Sequence, residues 1–262
     1  MSFTAQTMRR LAASASFALL ALPALLLTAT TAHATDLVVS AAASLTNAFK
    51  ELGTAFEQQN PGVKVINNFG ASDILMQQIV RGAPADVFAS ADQVAMDKAV
   101  AEKAVQPATR KNFAANQIVL IVPSDSPLPL GKLQDLTQAS VKKVALGNPA
   151  SVPFGRYTKN ALERAGLWDA ILAKGVMAQN VRQSLDYVAR GEVEAGFVFA
   201  TDAASMPDKV KVAIRIPSDT PATYPIALTA STTQAELAGK YLAYVQSAAG
   251  QAVLARYGFL KP

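Results

Sequence analysis

The chain has 262 residues, about half of them apolar and 16% charged, with one histidine, no cysteine and a net charge of +5. Disulfides, thiolate chemistry and cysteine-based zinc sites are excluded, and the charge excess is too small and too scattered for a nucleic-acid surface. The length suits one large domain or two small ones.

In chain order, the first feature is Arg9 and Arg10, then an apolar run from Leu11 to Leu27, then Ala32-His33-Ala34, with no acidic residue among them. This is the pattern of a secretory leader ending in an A-x-A cleavage site, so residues 1–34 are read as a signal peptide. Cleavage removes Arg9, Arg10 and His33, which takes the net charge from +5 to +3 and leaves no histidine for Ser-His catalysis. No later stretch is long and apolar enough to span a bilayer.

Next, the apolar run Leu37-Val38-Val39 leads through Ser40-Ala41-Ala42-Ala43-Ser44-Leu45-Thr46-Asn47 to Phe49, Leu52 and Phe56 at helical spacing. That is strand, small-residue turn, helix. A helix start exposes unpaired N–H groups and the positive end of its dipole, and a neighbouring hydroxyl adds one more donor. Taken alone, Ser44 is better read as a helix cap.

Strands are expected at 36–40, 63–69, 86–90, 117–123, 143–147, 175–179, 195–200, 210–216 and 224–229. Helices are expected near 46–58, 73–81, 92–104, 155–165, 181–190 and 233–257. The alternation places the chain in the α/β class, with parallel sheets covered by helices. In such sheets ligands bind beyond the carboxyl ends of the strands, so each strand-to-helix turn is a candidate.

Four such turns carry hydroxyls or bare backbone donors. After Ser44 comes Asn67-Asn68-Phe69-Gly70-Ala71-Ser72-Asp73, where Asp73 could cap the helix and release the Ser72 hydroxyl. Asp92, after Ser90, reads as a plain helix cap. The proline-rich loop Ser124–Pro129 suits a change of lobe. Val152-Pro153-Phe154-Gly155 then places a proline in a first helical turn, where its missing N–H costs nothing, and leaves the Phe154 amide facing outward. Asn180 caps a helix beginning at Val181, while Arg156 and Arg182 read as solvated helix residues.

The strings Ala41–Asn47, Gly82-Ala83-Pro84-Ala85-Asp86-Val87-Phe88, Val152-Pro153 with Gly155 and Tyr157, Asn180-Val181-Arg182 and Tyr224-Pro225 occur in order. Together they resemble the periplasmic molybdate/tungstate-binding proteins of ABC importers, over about residues 36–262. The resemblance implies a type II periplasmic-binding-protein fold, two Rossmann-like α/β lobes joined by two crossing strands with an oxyanion in the cleft. The corresponding division is 35–115 plus 225–262 for lobe 1 and 116–224 for lobe 2.

It further implies a site in which Ser44 and Ser72 offer both N–H and hydroxyl, and Phe154 and Val181 offer N–H alone. A family tyrosine hydroxyl falls at Phe199, whose ring can wall the cavity but cannot donate. The implied ligand is molybdate or tungstate, with no cofactor, no catalytic residue and no direct protein ligand to the metal. The implied partner is an inner-membrane ABC permease, and the protein is expected to be a periplasmic monomer.

A deprotonated tetrahedral dianion accepts hydrogen bonds at every oxygen, so neutral donors satisfy it without a buried counter-charge. No group placed in the site titrates between pH 5 and 8, so affinity is expected to be flat there. Sulfate is an alternative ligand. A serine hydrolase is a further alternative, but no S-x-x-K pairing gives Ser44 or Ser72 a base. A ligand-sensing regulatory domain fits less well, given the leader and the lack of a DNA-binding segment.

Overall fold

Two five-stranded sheets organise the chain, and the computed structural model describes residues 34–217 and 221–262. The leader read over residues 1–34 lies, apart from Ala34, outside the described residues. The first part runs β1 (Thr35–Ala42), a 3₁₀ turn (Ala43–Leu45), α1 (Thr46–Gln59), β2 (Val63–Gly70), α2 (Ser72–Val80), β3 (Val87–Ala89), α3 (Gln93–Ala101) and β4 (Lys111–Asn116). The middle part runs β5 (Ile118–Pro123), β6 (Val144–Gly147), α4 (Pro153–Arg164), α5 (Trp168–Leu172), β7 (Gly175–Ala178), α6 (Val181–Ala189), β8 (Ala195–Phe199), α7 (Ala200–Ala204) and β9 (Val210–Arg215). It closes with β10 (Ala222–Leu228), α8 (Ala235–Gln246) and α9 (Ala248–Arg256).

The first sheet has the order β2-β1-β3-β10-β4 and the second β7-β6-β8-β5-β9. In each, two parallel pairings are followed by two antiparallel ones, so that only the fourth strand is reversed and the two lobes share one layout. The chain passes from the first sheet to the second at Gln117 and returns before Ala222, which pairs with Asn116. The crossing strands are therefore neighbours. In this layout β1 and β2, and likewise β6 and β7, point their carboxyl ends toward the helix starts that follow them.

Burial explains the local choices. On α1, Phe49, Leu52 and Phe56 share one buried face. Phe49 packs 5.7 Å from Phe113 of β4, and Phe56 meets Tyr241 of α8 edge-on at 5.2 Å. Truncating such a ring to alanine costs about 3–5 kcal/mol. Asp86 is buried because it is fully used: it accepts from the Val38 N–H at 2.8 Å and the Thr232 hydroxyl at 2.6 Å, which ties β1 to the segment after β10.

Beyond the short helices α5 and α7, which the sequence reading did not expect, four departures bear on the fold. Lys111–Asn116 is a strand, unexpected because asparagine and alanine carry little β signal; pairing with β10 and the burial of Phe113 hold it. The Ser124–Pro129 loop lies inside the second lobe, because β5 before it and β6 after it share a sheet. The change of lobe is at Gln117 instead.

Third, the single helix read over 233–257 is two, α8 and α9. Ser247 is extended and caps α9 by accepting the Gly250 N–H at 3.2 Å. A Cβ at Gly250 would lie 2.2 Å from the Tyr244 carbonyl oxygen, so only glycine permits this corner. Fourth, Asp73 does not cap α2 with its side chain, which is engaged elsewhere.

Candidate functional site

Each site residue is placed by the turn that carries it. Ser44 sits in the 3₁₀ turn after β1, where three consecutive alanines let the chain bend tightly and Leu45 anchors it in the core. Ser72 is the first residue of α2 and fully buried, and its Oγ accepts the Ala91 N–H at 3.0 Å. Phe154 is the second residue of α4, after Pro153. Val181 opens α6, whose cap Asn180 accepts the Gln183 N–H at 3.1 Å. The amides of Ser44, Ser72, Phe154 and Val181 all fall in first turns, where a helix provides no acceptor.

The start of α4 is held against β6 by an exceptional approach. A Cβ at Gly155 would lie 2.3 Å from the Gly147 carbonyl oxygen, and one at Gly147 would lie 2.8 Å from the Phe154 ring. Two glycines therefore set how far the Phe154 amide protrudes.

Ser44, Ser72, Phe154, Val181 and Phe199 line a single small cavity between the lobes. Small or apolar side chains and Asn180 complete the wall, and among the described residues no charged side chain lines it. Phe199, at the end of β8, is buried, with its ring edge-on to Tyr157 at 6.2 Å and to Tyr224 at 5.6 Å. What this arrangement can do chemically is donate: two helix starts from each lobe converge with two hydroxyls, and their dipoles favour negative charge.

Charge stands one layer out, and here the structure corrects the reading of both arginines as solvated. Arg156 of α4 reaches across to the first lobe, placing Nη2 2.5 Å from Asp73 Oδ2 and Nε 2.6 Å from Asp92 Oδ2. Its side chain is 16% exposed, and those of Asp73 and Asp92 are 1% and 3%. Burial works against the Arg156 charge, but the two carboxylates outweigh it and hold its pKa above the ordinary value. Asp92 also caps α3 by accepting the Ala95 N–H at 3.0 Å, and Lys98 shares Asp73 at 2.8 Å.

Arg182, next to Val181, places its Nε 2.6 Å from Oδ1 of the fully buried Asp202. Burial pushes the Asp202 carboxyl up to about 6, and Arg182 only partly opposes this. Behind Ser44, Tyr224 Oη lies 2.9 Å from Ser44 Oγ, and Asn116 Nδ2 lies 3.3 Å from Tyr224 Oη. The sequence reading missed this layer. Its partners are up to 180 positions apart in the chain, so no local spacing announces them.

Known proteins agree with this architecture. The chain is 36% identical over 229 residues to the molybdate-binding protein ModA of Escherichia coli, covering 85% of this chain and 88% of that protein. It is 35% identical over 225 residues to a Bacillus subtilis protein described as a putative ABC transporter substrate-binding lipoprotein, YvgL, covering 85% of each. Among solved structures, the substrate-binding domain of a putative molybdenum ABC transporter from Clostridium difficile matches with a TM-score of 0.66 and 34% identity, covering 87% of this chain and 99% of that one. Residues 37–260 match the family described as bacterial extracellular solute-binding protein, and the chain belongs to that family.

Proposed function

We propose that this protein binds molybdate, and tungstate with it, in the cleft between its lobes, and delivers the ion to an inner-membrane ABC permease as a periplasmic monomer. The observation that carries this is the cavity lining: four first-turn amides and two serine hydroxyls drawn from both lobes, with no charged side chain among them. Six neutral donors suit a fully deprotonated tetrahedral oxyanion. Each charge-assisted bond contributes about 1.5–3 kcal/mol net, against the roughly 8 kcal/mol that micromolar affinity requires. The sequence similarity to the Escherichia coli and Clostridium difficile proteins supports the choice of ion.

A hydrolase reading finds no support in the serines. Ser44 meets a tyrosine hydroxyl and Ser72 a backbone amide, and neither is a general base. Molybdate and tungstate share charge and shape and both exceed sulfate, so discrimination against sulfate rests on size. Thermal unfolding with each ion tests this, since a ligand at a thousand times its Kd adds about 4 kcal/mol. Molybdate and tungstate should raise the midpoint strongly and sulfate little; equal shifts with sulfate would remove the size argument.

Phe199→Tyr isolates the missing hydroxyl. Molybdate affinity should change less than about threefold, under 1 kcal/mol, because the aromatic wall is already complete and six donors remain. A larger gain would mean that one oxygen of the ion lacks a donor in the native site.

A further inference from the structure

We propose that Tyr224 and Asn116 are positioning residues that hold the Ser44 hydroxyl as an obligate donor toward the bound oxyanion. The proposal rests on the site reading above and concerns the direction of one proton. The starting point is a group that can only donate, the Gln117 N–H, which lies 2.9 Å from Asn116 Oδ1. It fixes the Asn116 amide so that Nδ2 faces Thr201 Oγ1 at 2.9 Å and Tyr224 Oη at 3.3 Å. Tyr224 Oη, receiving an N–H, gives its own proton to the next oxygen in line, Ser44 Oγ at 2.9 Å. Ser44 Oγ therefore accepts from behind, and its hydrogen is left for the cavity that Ser44 lines.

The chain of donors cannot be dissipated by water or by ionisation. Asn116, Tyr224 and Ser44 are all buried. Burial pushes the Tyr224 hydroxyl well above the ordinary phenol pKa, so it keeps its proton. Ser72 reaches the same state by a shorter route, because the Ala91 N–H occupies its lone-pair side. With both serines committed as donors and one lone pair of each already taken, the hydroxyl hydrogens that face the cavity favour an oxyanion that carries no proton of its own. The relay thus selects for the fully deprotonated form as well as strengthening its binding.

The network is also anchored where the lobes are joined. Asn116 ends β4 at the crossing, Tyr224 lies on β10 beside it, and Thr201 belongs to α7 of the second lobe.

The test is a double-mutant cycle read by calorimetry with sodium molybdate. Ser44→Ala should weaken binding about tenfold and Tyr224→Phe about fivefold. The double variant should be no weaker than Ser44→Ala alone, because Tyr224 acts only through Ser44. An equal loss from Tyr224→Phe in both backgrounds would make its role structural and overturn the proposal. So would an affinity within twofold of the native protein for Tyr224→Phe while Ser44→Ala is weak, an outcome that leaves the site reading intact. Ser44→Ala without effect would overturn the site reading and the relay together. Should Tyr224→Phe fail to give a cooperative melt, Asn116→Ala cuts the same chain one link earlier: weakening with Ser44 present and none when combined with Ser44→Ala supports the relay, and any other pattern overturns it.

Discussion

Arg156→Met will weaken molybdate binding by about 30- to 1,000-fold, corresponding to about 2–4 kcal/mol. Arg156 comes from the second lobe and its two carboxylate partners from the first, so the triad ties the lobes to one another, and parting them would break it. Removing the guanidinium leaves Asp73 with Lys98 alone and Asp92 with its capping role alone, both nearly without solvent. In an opened molecule water reaches the same carboxylates, so the cost falls on the closed form. Dissociation should accelerate far more than association slows, and the melting temperature without ligand should barely change. Arg156→Lys keeps the charge but cannot fork to two carboxylates, and should fall between. Calorimetry and ligand-jump kinetics read these quantities. A loss below twofold for Arg156→Met would mean that closure does not depend on the bridge.

Asp202 should take about 2–3 kcal/mol from the ligand-free stability as pH rises from about 4 to about 6. Its carboxyl is raised from 3.8 to about 6 in the folded protein, so the folded state holds this proton more tightly than the unfolded chain does. Below the unfolded value both states are protonated and there is no penalty. As pH rises through the folded value, the folded state must bury a charge that the unfolded state exposes to water, and the lost stability stays lost above it. Asp202→Asn removes the titration while keeping the shape, and its melting temperature should vary less over this window than that of the native protein. Parallel curves for the two proteins would refute the assignment. This is a change in the stability of the ligand-free fold, separate from the flat affinity between pH 5 and 8 expected of the cavity lining.

Much of the architecture was legible because strands and first turns are local. Leu37–Val39 followed by small residues, Pro153 in a first turn and Asn180 before an apolar face all announce helix starts at the ends of strands, and the structure draws those starts to one cavity. What was hidden is pairwise and distant. Arg156 looks like any surface arginine until the fold brings Asp73 and Asp92 to it from 83 and 64 positions away. Tyr224 shows only a strand residue before a proline; that its hydroxyl ends beside Ser44 depends on β10 lying next to β3. The corner at Ser247 was missed for a different reason. The helical period of apolar residues continues through it, and the break is set by a glycine packed on two carbonyls.

The shared layout of the two sheets has a kinetic consequence. Since each lobe brings two helix starts to the cavity, an ion bound as proposed would meet half of its partners on either lobe alone and the other half only when both lobes surround it. Capture is then limited by diffusion to one lobe, whereas residence time is limited by prying two lobes apart. Water cannot replace the donors one at a time while both lobes remain in place. On the proposed reading, a receptor that contacted both lobes and drew them apart would break both sets of donors at once, and release would follow the separation of the lobes more than competition for the ion.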